Sequence, residues 1–249
     1  MVKSVGISIL LLAVLGLLFA CSSSGEGGRE VSIVQADDGC SPKTVGVKTG
    51  EKLNLVVKNE SGKDYEIEGI DGTKLEEVVV PEGRTRSVGY TVPGKAGVYK
   101  LKCYVPGDVT TIIELQAEGE PQSGVAPAAG DQVSSEPDGE TADVTVRVVL
   151  NEFNVLPDKT SVRAGSVRFD ADNVSTYMVH ELAVLRIKDD GSLANLGEIE
   201  DLPFGASGAL TLEMEPGRYR LACLIAEGEA GSTVDHYKAG MHTEFAVEP

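Results

Sequence analysis

Two widely separated stretches of this chain carry one pattern. Ala96-Gly97-Val98-Tyr99-Lys100-Leu101-Lys102-Cys103 is matched by Pro216-Gly217-Arg218-Tyr219-Arg220-Leu221-Ala222-Cys223. Upstream of each, Ser41-Pro42 to Thr49-Gly50 parallels Leu156-Pro157 to Ala164-Gly165, and Asn59 before Tyr65-Glu66-Ile67 parallels Asn173 before His180-Glu181-Leu182. The period is too long for a solenoid, whose units run to about 20–50 residues, so the repeat describes two tandem domains. Within each half the apolar residues alternate. Leu53, Leu55 and Val57 interleave with Lys52, Asn54 and Val56, as in a strand buried on one side, and the valines of Val144-Thr145-Val146-Arg147-Val148 share one face. Further strand-like runs are Val31–Val34, Thr111–Leu115, Ser166–Asp170, Glu181–Ile187, Ala209–Met214, Arg218–Ile225 and Thr243–Val247. Turn dipeptides such as Asp38-Gly39, Ser61-Gly62, Asp71-Gly72 and Pro106-Gly107 separate the runs, and no sustained amphipathic helix is present. The reading is all-β: two tandem Greek-key β-sandwich domains.

The first domain is expected over 30–117 and the second over 143–249. Between them, 118–142 is rich in Pro, Gly, Ala and acidic residues without apolar periodicity, as a mobile linker is. Lys3 and an apolar run from Val5 to Phe19 open the chain, a run short of the roughly 20 residues of a membrane span. It ends in Leu18-Phe19-Ala20-Cys21 and resembles a bacterial lipoprotein signal, which implies cleavage after residue 20, lipid on Cys21 and a tether over 21–29. The rival reading is an uncleaved anchor helix. Either way the body of the protein is placed outside the cytoplasm, at a periplasmic or cell-surface membrane. The formal charge of -17 repels nucleic acid and suits a basic partner, besides favouring solubility.

Four cysteines are present. With Cys21 taken by lipid three remain, and an odd count in an oxidising compartment asks for a special role for one. Pairing Cys40 with Cys103 leaves Cys223 free; the alternative is two separate buried thiols. Twelve residues separate Cys223 from His236, and Met241 follows, while His180 lies well upstream. Two imidazoles, a thiolate and a weak thioether form the ligand set of a blue-copper centre. On these residues the second half resembles the cupredoxins, the group of plastocyanin, azurin and sulfocyanin. The resemblance implies one type 1 copper held by His180, Cys223, His236 and Met241. It also implies single-electron transfer with a redox protein, for which a basic cytochrome c suits the acidic surface.

The first half departs from the family's pattern. Tyr65 stands where the second half has His180, Asp108 takes the place of a ligand histidine after Cys103, and no Met follows within the domain. It therefore resembles a cupredoxin without its metal, a spacer or docking module in which Cys40 and Cys103 are read as a disulfide. The second half departs in the length of Leu224–Asp235, within which Glu227–Ser232 is expected to bulge as a surface loop, and His242 is expected to be exposed. Enzyme readings fail on inventory. Three histidines cannot build a trinuclear copper cluster, Ala222 and Leu224 flank Cys223 where copper oxidases place histidine, and no second cysteine is near enough for a binuclear centre. No phosphate cradle or nucleophile elbow is present. A copper-delivery protein without redox work and a metal-free interaction module are the competing readings.

Overall fold

The computed structural model describes residues 28–120 and 142–249; the expected signal segment over 1–20, Cys21, most of the expected tether and most of the expected linker lie outside the described residues. Nine strands make the first half: β1 (Arg29–Ala36), β2 (Gly39–Ser41), β3 (Thr44–Lys48), β4 (Lys52–Asn59), β5 (Tyr65–Ile70), β6 (Val78–Val80), β7 (Thr85–Thr91), β8 (Gly97–Tyr104) and β9 (Thr110–Glu118). Nine more make the second: β10 (Val144–Asn151), β11 (Asn154–Pro157), β12 (Ser161–Arg163), β13 (Gly165–Asn173), β14 (His180–Ile187), β15 (Leu193–Leu202), β16 (Ser207–Met214), β17 (Gly217–Ala222) and β18 (His242–Glu248). No helix occurs among the described residues.

The repeat extends to topology. The first half pairs its strands as β2-β1-β4-β7 and β3-β9-β8-β5-β6, the second as β11-β10-β13-β16 and β12-β18-β17-β14-β15. Position for position these are the same two sheets, including the parallel pairings of β1 with β4 and of β10 with β13. The alternation seen in sequence sets which face is inside. Leu53, Leu55 and Val57 of β4 and Val146, Val148 and Leu150 of β10 point between the sheets of their own sandwich, each apolar side chain contributing about 1.5–3 kcal/mol on full burial. A buried asparagine closes the same corner twice. Asn59 donates to the carbonyls of Lys63 and Val80, and Asn173 to those of Met178 and Leu202. The Asn-x-Ser triplets at these sites are thus structural.

Two differences from the sequence reading bear on function. The run Arg218–Ile225 is a strand only to Ala222, because the chain leaves the sheet to build a loop. In addition, β15 fills a long stretch that carries no clean alternation.

The halves pack through the outer faces of β5 and β8 on one side and β14, β15 and β17 on the other. Tyr104 sits in an apolar cluster with Ala183, Leu185, Leu193, Ala222 and Leu224. Beside it lies a buried polar group, with Lys102 Nζ 3.1 Å from Glu68 Oε1 and 3.3 Å from Glu229 Oε1. Burial alone would push the Lys102 ammonium down, but Glu181, Glu68, Glu229 and Glu198 around it outweigh that and hold it well above the ordinary value. Glu66, on the same face of β5, has a carboxylate oxygen buried without a hydrogen-bond partner. Burial first, and the nearby Glu77 second, push its carboxyl up to about 8.

That shift gives a signed expectation. Between the ordinary value of 4.5 and about 8 the folded protein keeps a proton on Glu66 that the unfolded chain has lost, so this group's contribution to stability falls as pH rises through that window. Glu66→Gln keeps the shape of the protonated acid. It is expected to stabilise the protein by ~1–3 kcal/mol at pH 8, with the gain vanishing at a pH near the ordinary value, as read from urea unfolding at both pH values.

Candidate metal centre

The register of β17 against β14 decides where Cys223 points. Ala222 pairs with Ala183 and Leu221 with Val184, so Tyr219, Leu221 and Cys223 face the interior of the second sandwich while Ala222 and Leu224 face the first. In β14 His180, Leu182 and Val184 are buried on the inner side, with Glu181, Ala183 and Leu185 on the other. Cys223 and His180 are therefore aimed into one space at the end of the sheet. The segment after Cys223 returns to it. His236 N–H donates to Ile225 O (2.9 Å), Met241 N–H to His236 O (3.0 Å), and Cys223 N–H to Met241 O (3.0 Å). These bonds tie three of the four residues together through the backbone. Gly240, at φ 102°, makes the turn that brings Met241 back.

The side chains converge. His236 Nδ1 is 3.3 Å from His180 Nδ1 and 3.3 Å from Cys223 Sγ. One donor atom from each of His180, Cys223 and His236 lies within 4.8 Å of the others, and all three residues are buried. Met241 is fully buried in the same apolar cluster as Cys223. Around this set the protein fixes orientation. Ser232 Oγ is 3.1 Å from His236 Nε2, so a proton on Nε2 can be held there and the Nδ1 lone pair left free. Phe153 meets the same ring edge-on, centroids 5.4 Å apart. Cys223 Sγ accepts from the Glu181 N–H at 3.4 Å, and Glu181 Oε1 accepts from the Leu224 N–H at 2.5 Å.

Burial keeps all three candidate ligands uncharged at neutral pH in the free protein. Burial, and then His180, lower His236 to about 4, and burial lowers His180, so both rings are neutral ligands at ordinary pH. Burial and then Glu181 push the Cys223 thiol well up, so the free protein keeps it protonated. Two neutral imidazoles and a soft sulfur in an apolar pocket fit copper, whereas a hard cation would find no oxygen ligand among the three converging residues. A second group of candidate ligands, Glu68, Glu198 and Glu200, lies at the interface between the halves, where the Lys102 ammonium already meets Glu68.

Among the described residues the first half gathers no such set. Cys40 and Cys103 form a disulfide, and Tyr65 is buried with its hydroxyl donating to Ala36 O at 2.6 Å. Asp108 forms a surface ion pair with Lys63. Two expectations need correction. His242 is half-buried rather than exposed, stacked on Tyr237 with centroids 4.5 Å apart. The Leu224–Asp235 segment does not bulge freely, since its Glu229 is 5% exposed and faces the first half.

The profile of the cupredoxin-like domain family matches residues 8–113, the half without the ligand set. The fold is cupredoxin-like. Among curated proteins no sequence gives a significant match. Solved structures resembling the chain include a dithionite-reduced auracyanin from the photosynthetic bacterium Roseiflexus castenholzii, at 21% identity, TM-score 0.34, over 43% of this chain and 99% of that one. Auracyanin B follows at 23% identity, TM-score 0.34, over 44% and 92%. A copper-containing nitrite reductase from Thermus scotoductus SA-01 covers 88% of this chain and 61% of its own at 12% identity, TM-score 0.30. At such scores these likenesses carry no weight for function.

Because the rings are neutral and the thiol protonated, metal uptake near pH 7.5 should release about one proton per site. A pH-stat titration of the metal-free chain with copper measures it, and release of two protons would mean that an imidazole is charged in the free protein.

Proposed function

We propose that this protein is a membrane-tethered, extracytoplasmic blue-copper electron carrier that holds one copper in its C-terminal half at His180, Cys223, His236 and Met241. The observation that carries the reading is the meeting of the three donor atoms of His180, Cys223 and His236 within 4.8 Å in a buried pocket. They come from the start of β14, the end of β17 and a loop, so the fold itself gathers them. Bound there, copper would supply a one-electron couple. The residues supply rigidity. Backbone bonds fix Cys223, His236 and Met241 relative to one another, Ser232 and Phe153 restrain the His236 ring, and the apolar cluster around Cys223 keeps water out.

A carrier fits better than an enzyme. The chain has three histidines, and two of them are in this site. A carrier also fits better than a delivery protein, because all three donors are buried where a chelator or an acceptor protein has poor access. The charge of -17 favours docking by a basic redox partner such as a cytochrome c. Lipid on Cys21 would keep the carrier at the membrane.

The purified chain loaded with copper is expected to show an intense thiolate-to-copper charge-transfer band in the visible and a reversible one-electron wave. Cys223→Ala should abolish the band, while Cys103→Ala, which costs stability through the lost disulfide, should keep it. A colourless copper complex, or bleaching by Cys103→Ala, would refute the site. For the tether, Cys21→Ser should move the protein from the detergent phase to the aqueous phase in a partition assay, and retention in the detergent phase would favour an anchor helix.

A further inference from the structure

We propose that the N-terminal half is a clamp that sets the shape of the ligand loop, with Lys102, Lys100 and Asp71 as positioning residues for His236. This rests on reading His236 as a copper ligand. The loop from Leu224 to Asp235 is gripped at three consecutive residues by side chains from the other half. Lys100 Nζ donates to Gly228 O at 2.5 Å, Lys102 Nζ lies 3.3 Å from Glu229 Oε1, and Ala230 N–H donates to Asp71 Oδ1 at 2.7 Å. Lys100 and Asp71 also pair with each other at 2.7 Å, so the two outer grips brace one another.

Glu229 passes the grip inward. Its Oε1 faces Lys102, and its Oε2 accepts from the Ala226 N–H at 2.8 Å, so one carboxylate ties the clamp to the neck of the loop. The residue before Ala226 is Ile225, whose carbonyl accepts from His236 N–H at 2.9 Å. At the loop's far side Ser232 N–H donates to Glu229 O at 2.8 Å, and the Ser232 hydroxyl meets the His236 ring. Moving Glu229 therefore moves both the backbone and the side-chain support of His236.

The repeat shows that the clamp is specific to one half. Lys102 and Ala222 hold equivalent places directly before Cys103 and Cys223, one a lysine and the other apolar. Lys102 and Glu229 are 1% and 5% exposed, and a buried amine is tolerable only where carboxylates meet it, as Glu68 and Glu229 do here. Removing the lysine leaves the Glu229 Oε1 buried without its partner.

The test compares the full chain with Lys102→Met, Lys100→Met and Asp71→Ala. Amide hydrogen exchange of the metal-free proteins is followed over residues 226–236, alongside visible spectra of the copper-loaded proteins. Loop amides should exchange about tenfold faster in Lys102→Met and measurably faster in the other two, with the amides of β10, β13 and β17 unchanged. The charge-transfer bands should change in position or relative intensity. Exchange at the wild-type rate in all variants would overturn the clamp, as would faster exchange with an unaltered copper spectrum. Should Lys102→Met fail to fold, the partly exposed Lys100 and Asp71 decide the matter. A wild-type chain that binds no copper would sink the carrier reading, while the exchange data would still judge the clamp.

Discussion

β14 and β17 are covered on both sides. Their inner faces form the second sandwich's core with His180 and Cys223 at its edge, and their outer faces lie against β5 and β8 of the first half. A strand held from two directions cannot shift its register without losing apolar contact on both faces. The positions of His180 and Cys223 follow from that constraint. The two outer faces are unlike: Glu181, Ala183, Leu185, Ala222 and Leu224 on one side, Glu66, Glu68, Lys102 and Tyr104 on the other.

The same scaffold has been put to two uses. Cys103 and Cys223 sit at equivalent places, Cys103 near the end of β8 and Cys223 directly after β17, the middle strand of each sheet. In one half the sulfur is joined to Cys40 and a buried tyrosine fills the place of the histidine. In the other it faces two imidazoles. Loss of a metal in the first half would remove an internal brace, and a cross-link that closes a long loop replaces one, stabilising by about 2–4 kcal/mol.

Much of this could be read from the sequence. Residues facing a sandwich interior alternate, so Leu53, Leu55 and Val57 and the valines of β10 were legible, and the repeat exposed the tandem arrangement. The order of His180, Cys223, His236 and Met241 was legible because His, Cys and Met are rare residue types in this chain, and the fold brings His180, Cys223 and His236 together. What faced the other half was not. Glu66, Glu68 and Lys102 alternate with apolar residues in the manner of a solvated surface, and nothing local distinguishes water from a second protein face. The loop was misjudged for the same reason: Glu227-Gly228-Glu229-Ala230-Gly231-Ser232 has the composition of an exposed turn, and only the partner surface makes Glu229 an interior residue. β15 was missed because its two sides meet environments too similar to leave an alternating pattern.

Lys100 and Lys102 precede the residues they grip by more than a hundred positions in the chain. The first sandwich, lysines included, lies wholly N-terminal to Gly228 and Glu229, and domains generally fold as units. The last strand in the chain, β18, begins directly after Met241. The pocket thus closes against a mould encoded ahead of it, and a chain cut short at its C-terminus would retain the mould without the cast.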